Sequence, residues 1–376
     1  MRERLVSDLF TPINFIESNP LDKIKIVTIY LGNSCNFDCV YCDRGYIDNL
    51  GGQNLNGDTA RDLQEFFLWA DSLPNKIQYV SFHGGEPLLF IKRMEEVMQW
   101  LYPLALKNNW IISLTTNGSL VKECEWFFRK YKGKLQATVS YDFTFQEQNR
   151  ESFDVLEMAK ILNETCKQWQ WQVVVPIDDP KSFSFNYIKD IVTTCYKTNC
   201  KVVNMIPLRH KRGKDKFNVI IDQVNLPQFL DAFLQFIQIL YIKKITVFID
   251  GCYTDIDKAY FAEHNKLILS PDGFIYPEFD FLEYKIKNAR IGNWKNKEIW
   301  RNQGDSGRIH DSCLSCSKRP SCGLKYLYKL FDVQPMGKCK EFYTYMDYAI
   351  IHNAKLKEKK TVLEWIGIKE DFPINE

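Results

Sequence analysis

The chain has 376 residues, of which 45% are hydrophobic and 26% charged, so it is long enough for one large domain with an appendage or for two modest domains. Its 49 Lys and Arg against 47 Asp and Glu give a net charge of +2, which provides no case for a nucleic-acid surface. No apolar run approaches the roughly 18 residues of a membrane span, and the N-terminus lacks the apolar core of a signal peptide. The composition therefore predicts a globular cytoplasmic protein whose twelve cysteines serve metal binding or catalysis rather than disulfides.

Short apolar runs alternate with amphipathic segments from residue 24 onwards. Six runs predict strands: Ile24–Leu31, Ile77–Phe82, Ile111–Thr115, Leu135–Ser140, Trp171–Val175 and Val202–Ile206. The segments between them predict five helices: Thr59–Ser72, Lys92–Leu106, Leu120–Tyr131, Glu151–Cys166 and Asn186–Tyr196. Asp58 and Ser119 are the expected N-caps of the first and third helices. The alternation predicts an α/β fold with a parallel sheet, whose chemistry lies at the carboxyl ends of the strands.

A cysteine-rich loop follows the first predicted strand. Cys35, Cys39 and Cys42 form a C-x3-C-x2-C motif, and Tyr41 directly precedes the third cysteine. A [4Fe–4S] cluster normally takes four thiolates, so a loop that supplies three leaves one iron open to another ligand. The alternatives are a zinc knuckle or three incidental thiols. Zinc sites usually pair such a motif with a second pair of ligands, and no nearby His or Cys supplies one.

A second motif, His83-Gly-Gly-Glu-Pro87, follows the second predicted strand. The two glycines allow the backbone to approach a ligand closely. The Glu86 carboxylate can accept hydrogen bonds from an ammonium group, and Pro87 stiffens the turn. Alone the motif is also compatible with a simple turn, and His83 with a packing residue.

The cysteine loop followed by this motif resembles the radical S-adenosylmethionine (SAM) superfamily. The resemblance implies a (β/α)6 partial TIM barrel, a SAM-binding [4Fe–4S] cluster on Cys35, Cys39 and Cys42, and cleavage of SAM to a 5′-deoxyadenosyl radical. Thr115–Gly118 resembles a family element after the third strand, and Ser140–Phe143 resembles a Ser-x-Asp-Gly segment with Phe143 in place of Gly. By this resemblance the residues that contact SAM are Tyr41, Gly84, Gly85, Glu86, Pro87, Asn117, Ser140 and Arg150.

The C-terminal third contains a second set of cysteines: Cys313, Cys316, Cys322 and Cys339. A predicted hairpin around Ser270–Glu278 and the segment Ile291–Trp294 precede them. Together these features resemble the SPASM or twitch extension of radical SAM enzymes, which carries auxiliary iron–sulfur clusters. Glu278 and Tyr326 stand where the full extension has cysteines, so the resemblance implies one auxiliary [4Fe–4S] cluster and leaves Cys252 as an orphan. A structural zinc site on the same four thiolates is the alternative.

These assignments divide the chain into five parts: a lead-in at 1–23, the barrel at 24–225, a bridging segment at 226–265, the auxiliary-cluster extension at 266–345 and a helical tail at 346–376. Within them, residues 207–225 form a basic, polar break, either a solvated loop or a substrate-contacting one. The bridging segment is expected to hold a helix at Leu226–Tyr241 and a strand at Lys244–Ile249. The remaining thiols are expected to be buried or incidental: Cys124, Cys166, Cys195 and Cys200.

The resemblance implies an enzyme that abstracts hydrogen from a peptide or protein side chain, with flavodoxin or ferredoxin as the electron donor. The same radical chemistry on a sugar, amino acid or nucleotide is the first alternative, and a non-catalytic metal-binding scaffold is the second. A catalytic acid or base cannot be assigned from the sequence; Glu278, Asp142 and Tyr253 are candidates because each is expected near the barrel mouth.

Overall fold

The computed structural model describes residues 26–42, 54–72, 77–146, 150–176, 183–208 and 266–277, with shorter segments between 210 and 249 and between 279 and 339. The expected lead-in and tail lie outside the described residues. So do five residues singled out above: Cys252, Tyr253, Glu278, Cys322 and Tyr326. The division into five parts therefore stays a prediction.

Six parallel strands form the centre of the sheet: β1 Ile26–Tyr30, β2 Tyr79–His83, β3 Ile111–Thr116, β4 Leu135–Ser140, β5 Gln168–Pro176 and β6 Val202–Leu208. Five helices connect them: α1 Gly57–Asp71, α2 Ile91–Asn108, α3 Glu125–Lys130, α4 Val155–Thr165 and α5 Phe185–Lys197. Each strand pairs with the next in chain order. Since crossovers between parallel strands are right-handed, this order places all the helices on one face, as in a partial barrel. The predicted α/β fold and its (β/α)6 arrangement are confirmed.

The two faces of the sheet differ in polarity. On one face, alternate residues such as Phe82, Leu114 and Trp171 are buried in the hydrophobic core. On the other, cross-strand neighbours are polar and mostly half-buried: Gln136, Thr138 and Ser140 of β4, Gln170 and Gln172 of β5, and Asn204 of β6. Because a strand alternates its side chains between faces, this polar set faces away from the helices, into the barrel interior.

Further strands extend the sheet at both edges. On the β6 side, β7 His210–Arg212 and β8 Phe217–Val219 form a separate antiparallel ribbon, and β9 Thr246–Ile249 pairs with β6. On the β1 side, β10 Lys266–Leu269 pairs parallel with β1, and β11 Phe274–Tyr276, β12 Gly292–Asn293 and β13 Glu298–Ile299 follow in antiparallel order. A short helix, α6, spans Asp311–Leu314.

These edges confirm the predicted hairpin and the predicted strand before residue 249. Described residues between 232 and 242 are helical, in agreement with the helix expected there. The basic break after β6 is not only a loop, because part of it forms the ribbon. None of the described helices is long and apolar enough to cross a membrane.

Both predicted N-caps were wrong. Helix α1 begins one residue before Asp58, and its N-cap is Asn56, whose side chain accepts from the Thr59 N–H at 2.9 Å. Helix α3 begins only at Glu125, after a series of turns. Ser119 does not cap it because its hydroxyl donates instead to the Asn117 side chain at 2.7 Å.

Candidate active site

The cysteine loop begins at Leu31, and its first residues are fastened to the end of β2 by backbone hydrogen bonds. The Leu31 N–H donates to the His83 carbonyl at 2.8 Å, and the Gly85 N–H donates to the Gly32 carbonyl at 2.8 Å. The Glu86 N–H donates to the Ser34 carbonyl at 2.9 Å, one residue before Cys35. These backbone contacts with the second motif position the start of the loop.

Gly84 and Gly85 are required by this close approach. Gly84 has a φ of +150°, and a Cβ atom there would lie 2.6 Å from the Gly32 carbonyl oxygen. A Cβ atom at Gly85 would lie 1.9 Å from the Ser34 carbonyl oxygen. Backbone atoms cannot move aside as a flexible side chain does, so a larger residue at either position displaces the loop.

The Glu86 carboxylate is completely buried and ties β2 to β3. Its Oε1 accepts from the Thr116 hydroxyl at 2.7 Å and from the Leu88 N–H at 3.0 Å, and its Oε2 accepts from the Asn117 N–H at 2.7 Å. A buried carboxylate requires such donors because desolvation alone strongly disfavours it. In this structure Glu86 links the ends of β2 and β3 through hydrogen bonds. Its predicted contact with SAM stays a prediction.

Asn117 joins the turn after β3 to the cysteine loop. Its Nδ2 donates to the Asn36 side chain at 2.9 Å and lies 4.0 Å from the Cys35 sulfur. Its Oδ1 accepts from the Ser119 N–H and hydroxyl. The loop is therefore held from both β2 and β3.

Cys35, Cys39 and Cys42 are not disulfide-bonded, and each is half-buried. The Cys42 N–H donates to the Cys39 carbonyl at 2.9 Å, which folds the second half of the motif into a turn. The pKa of the Cys39 thiol is raised to about 12, chiefly by burial; the Arg150 guanidinium lowers it, and the charges of Cys42, Asp142 and Cys35 raise it. Three thiols within electrostatic reach of one another suit a cationic iron cluster, because metal binding favours the thiolate form.

Among the described residues, no group of three or more His, Cys, Asp or Glu side chains could hold one metal ion. A cubane cluster does not need such a group, because each thiolate binds a different iron atom.

Tyr41, Asp142 and Arg150 form a buried network beside the cysteine loop. The Tyr41 hydroxyl donates to Asp142 Oδ2 at 2.5 Å, and Arg150 Nε lies 2.6 Å from that hydroxyl and 3.2 Å from Asp142 Oδ2. Burial strongly raises the pKa of Tyr41, and the Asp142 charge raises it further. Burial lowers the pKa of Arg150, but Asp142 and Tyr41 raise it more, so the guanidinium keeps its charge. The sequence analysis assigned these three residues separately, and the structure shows that they are in contact.

Phe143 occupies the position where the resemblance implies glycine. Its backbone has a conformation that glycine adopts more easily than any other residue. Its φ is +52°, in the left-handed region, which costs a residue with a side chain roughly 1–2 kcal/mol. Its buried ring packs edge-on against Tyr141 and Trp171, with centroid distances of 5.2 and 5.8 Å. Burial of an aromatic side chain offsets the strained backbone.

The other predicted contacts lie around the same edge. Ser140, at the end of β4, is buried, and its hydroxyl oxygen is 3.4 Å from Gln172 Nε2. Pro87 is the first residue of a short 3-10 helix whose N-cap is Glu86. The His83 ring accepts from the Gly84 N–H and stacks on Phe279 at a centroid distance of 4.1 Å. Sequence reasoning missed Phe279, because no local motif marks it.

The C-terminal cysteines are described only in part. Cys313 and Cys339 are buried, and the Cys316 N–H donates to the Cys313 carbonyl at 3.1 Å. The preceding strands are tied together by Trp294, whose indole N–H donates to the Ser270 carbonyl at 2.8 Å. Of the thiols expected to be incidental, Cys124, Cys195 and Cys200 are buried, and Cys166 is partly buried.

Residues 29–160 match the model of the radical SAM superfamily. This segment begins within β1, ends within α4, and contains the cysteine loop, the second motif and the Tyr41–Asp142–Arg150 network. The chain therefore contains a radical SAM domain, and this family implies S-adenosylmethionine and a [4Fe–4S] cluster as cofactors.

Two relatives come from Methanocaldococcus jannaschii. An uncharacterized protein is 28% identical over 103 residues, 27% of this chain and 34% of that protein, so the match spans about a third of that relative. A probable GTP 3′,8-cyclase is 23% identical over 267 residues, 68% of this chain and 85% of that protein.

Solved structures extend the likeness in fold beyond the matched segment. anSMEcpe with bound AdoMet and a peptide has a TM-score of 0.57 at 18% identity and covers 88% of this chain and 99% of its own. Streptococcus suis SuiB bound to S-adenosylmethionine has a TM-score of 0.56 at 16% identity and covers 80% of this chain and 72% of its own. SuiB is also known bound to its precursor peptide SuiA. At these identities the comparison establishes a shared architecture.

Proposed function

We propose that Cys35, Cys39 and Cys42 hold a [4Fe–4S] cluster with one open iron, and that SAM binds there. The observation that carries this proposal is that the loop with the three cysteines is hydrogen-bonded through Gly32 and Ser34 to the backbone of Gly85 and Glu86, at the carboxyl edge of the sheet. When bound, the cluster and SAM would supply a 5′-deoxyadenosyl radical that abstracts hydrogen from the substrate. The chain contributes the positioning of the loop and a site shielded from solvent.

The proposed SAM contacts are Tyr41, Gly84, Gly85, Glu86, Pro87, Asn117, Ser140 and Arg150. The backbone N–H groups of Gly85 and Glu86 hold the loop, and Asn117 reaches it from β3. Ser140 lies on the interior face of β4 at its carboxyl end. Asp142 is buried in an ion pair, which argues against its candidacy as a general base.

The proposed substrate is a peptide or protein side chain, which would be oxidised or cross-linked. Strands β2 to β6 contain no Lys, Arg, Asp or Glu, and the polar side chains at their interior positions are amides, hydroxyls and the His83 imidazole. Two of these pairs are already hydrogen-bonded across strands, Gln170 with Thr138 and Gln172 with Ser140. Neutral donors and acceptors match the amide groups of a peptide, and the fold resembles anSMEcpe and SuiB, which bind peptides.

A nucleotide or another small molecule is the second candidate, favoured by the match to a probable GTP 3′,8-cyclase. A triphosphate is usually bound by Arg and Lys side chains, which the strands β2 to β6 lack. The Arg or Lys side chains that bind a nucleotide triphosphate would therefore have to come from loops rather than from these strands.

We further propose that Cys313, Cys316, Cys322 and Cys339 hold one auxiliary [4Fe–4S] cluster, with zinc as the alternative metal. The burial of Cys313 and Cys339 supports a ligand role. A fully ligated cluster would relay an electron or stabilise the small extension. The electron donor is proposed to be flavodoxin or ferredoxin, the compartment the cytoplasm, and no nucleic-acid partner is expected.

The cofactor proposal is tested by the iron and sulfide content and the EPR spectrum of anaerobically reconstituted protein, with and without SAM. The expected result is about eight irons and a SAM-perturbed signal, which follows from two four-iron clusters. A Cys35→Ala/Cys39→Ala/Cys42→Ala variant should keep about four irons and lose the SAM effect. Wild-type protein without iron or without a response to SAM would contradict the proposal; zinc in place of the second cluster would make the C-terminal site structural.

The substrate proposal is tested by 5′-deoxyadenosine formation with SAM and dithionite, in the presence of a pool of short peptides or a panel of nucleotides and sugars. We expect the peptide pool to stimulate product formation and deuterium from labelled peptides to appear in 5′-deoxyadenosine. Stimulation by GTP alone would favour the second candidate. No stimulation by either class would overturn the substrate assignment and leave the cofactor assignment intact.

A further inference from the structure

Asp142 is a buried carboxylate to which the proposed chemistry gives no task. Its side chain is completely shielded from solvent. Its Oδ2 accepts from Tyr41 and Arg150, and its Oδ1 lies 3.5 Å from the Val174 N–H of β5. A buried charge is stable only when it is paired and hydrogen-bonded, and breaking such a pair costs about 3–5 kcal/mol. The network is therefore strongly constrained to its observed arrangement.

Most of this network is built without the cysteine loop. Gln146 accepts from the Asp142 N–H at 2.8 Å and donates to the Glu151 carbonyl at 2.7 Å. The Arg150 N–H donates to the Gln146 carbonyl at 2.7 Å. Asp142 and Arg150 are thus both positioned by Gln146, from within the segment that follows β4. Tyr41 is the residue through which the cysteine loop joins this preformed ion pair.

The ion pair places opposite charges at one side of the loop. The Arg150 guanidinium carbon lies 5.3 Å from the centre of the Tyr41 ring, and Tyr41 stands between Cys39 and Cys42. Tyr41 connects both charges to the loop, because its hydroxyl donates to Asp142 Oδ2 and lies 2.6 Å from Arg150 Nε, two residues after Cys39. In a buried site these charges are poorly screened by solvent. The sum of the two charges therefore affects the electrostatic potential at a cluster bound by the thiolates.

We propose that Asp142 is a positioning residue that compensates the Arg150 charge beside Cys39 and thereby sets the reduction potential of the proposed cluster. This inference rests on the proposed function. The reduced cluster carries one more negative charge than the oxidised one, so an uncompensated cation beside it raises the potential and an uncompensated anion lowers it. Tyr41 transmits the arrangement by holding the loop against the pair.

The test is a potentiometric EPR titration at pH 8.5 of the cluster signal that the Cys35→Ala/Cys39→Ala/Cys42→Ala variant lacks, recorded without SAM. Asp142→Asn should raise the potential, because it leaves Arg150 uncompensated. Arg150→Gln should lower it, and Arg150→Lys should stay near the wild type because the charge is kept. The double variant Asp142→Asn/Arg150→Gln should return towards the wild type.

Two controls separate this role from a merely structural one. Asp190→Asn removes a carboxylate that is bonded to Thr144 and Thr194 rather than to the loop, and should not change the potential. Tyr187→Phe removes a buried hydroxyl that has no hydrogen-bond partner among the described residues, and serves as the match for Tyr41→Phe. Of these two, only Tyr41→Phe should lower cluster retention.

Shifts of equal sign in Asp142→Asn and Arg150→Gln, or no shift in iron-loaded variants, would overturn the inference while leaving the proposed function standing. If Asp142→Asn does not fold, the comparison of Arg150→Gln with Arg150→Lys decides alone, because equal potentials in those two variants also overturn it. Wild-type protein that takes up no iron would overturn the proposed function and this inference with it.

Discussion

Strand β1 has a neighbour on each side, and the two sides are joined in different ways. On the β2 side, the continuation of β1 is held by backbone hydrogen bonds from Gly85 and Glu86, and a Cβ atom at Gly85 would collide with the Ser34 carbonyl oxygen. On the β10 side, the sheet continues as a meander fastened by Trp294 and ordinary ladder pairing. The first junction positions a loop by backbone contacts that leave no room for a side chain, and the second attaches an extension by ladder pairing and a side-chain hydrogen bond. Substitutions should therefore affect the two junctions very unequally.

The largest expected effect distinguishes the two cysteine sets. Replacing Cys35, Cys39 and Cys42 by alanine should abolish 5′-deoxyadenosine formation without lowering the stability of the apo-protein, because these half-buried thiols contribute little to the core. Replacing the buried Cys313 should instead lower the stability. Product analysis and chemical denaturation of each variant check this. Retained SAM cleavage in the first variant would contradict the assignment of the open cluster.

Gly85→Ala should have the next largest effect. The new methyl group would lie 1.9 Å from the Ser34 carbonyl oxygen, so the loop must shift, at a cost of about 3 kcal/mol and with loss of most bound iron. Gly57→Ala is the matched control, since its Cβ atom would meet only the flexible Arg93 side chain at 3.1 Å. Iron content and urea unfolding of both variants give the comparison. Equal behaviour of the two variants would show that the loop is not held by this contact.

The packing of these glycines could not be predicted from the sequence, whereas other features of the site could. The alternating strands and helices, the position of the motifs at the carboxyl ends of the strands and the cysteine motif follow from local patterns, and all are present. The close packing of Gly84 and Gly85 on Gly32 and Ser34 does not follow, because it depends on the register between β1 and β2. A motif assigned to a ligand also shapes the protein itself.

The network of Tyr41, Asp142 and Arg150 was beyond prediction for a similar reason. Tyr41 and Asp142 are 101 positions apart, and only the folded barrel brings them together. Each residue could be assigned a role on its own. No local pattern indicates that Asp142 accepts a hydrogen bond from Tyr41 and forms an ion pair with Arg150. The left-handed Phe143 is a further case, since propensity disfavours it and only the aromatic packing around it explains its presence.

Glu86→Gln should have a smaller effect than Gly85→Ala. The amide keeps the shape of the side chain but presents an N–H group where Thr116, Leu88 and Asn117 already donate, so the apo-protein should lose about 2 kcal/mol. The exposed Glu96, paired with Arg93, provides the control, and Glu96→Gln should change stability by less than about 1 kcal/mol. Urea unfolding without cofactor measures the contribution of these hydrogen bonds to stability, separately from any contact with SAM. Equal stability of Glu86→Gln and wild type would show that these hydrogen bonds do not stabilise the protein.

Trp294→Phe should have the smallest effect and tests the β10 side of the comparison. The substitution keeps a large buried ring but removes the indole N–H that donates to the Ser270 carbonyl, so it should cost about 1 kcal/mol. Because the contact lies across β10 from the cysteine loop, iron bound by Cys35, Cys39 and Cys42 should be unchanged. Trp126→Phe, at an exposed position of α3, controls for the loss of an indole. A loss of that iron in Trp294→Phe would mean that the meander, and not only β2 and β3, positions the cluster loop through β1.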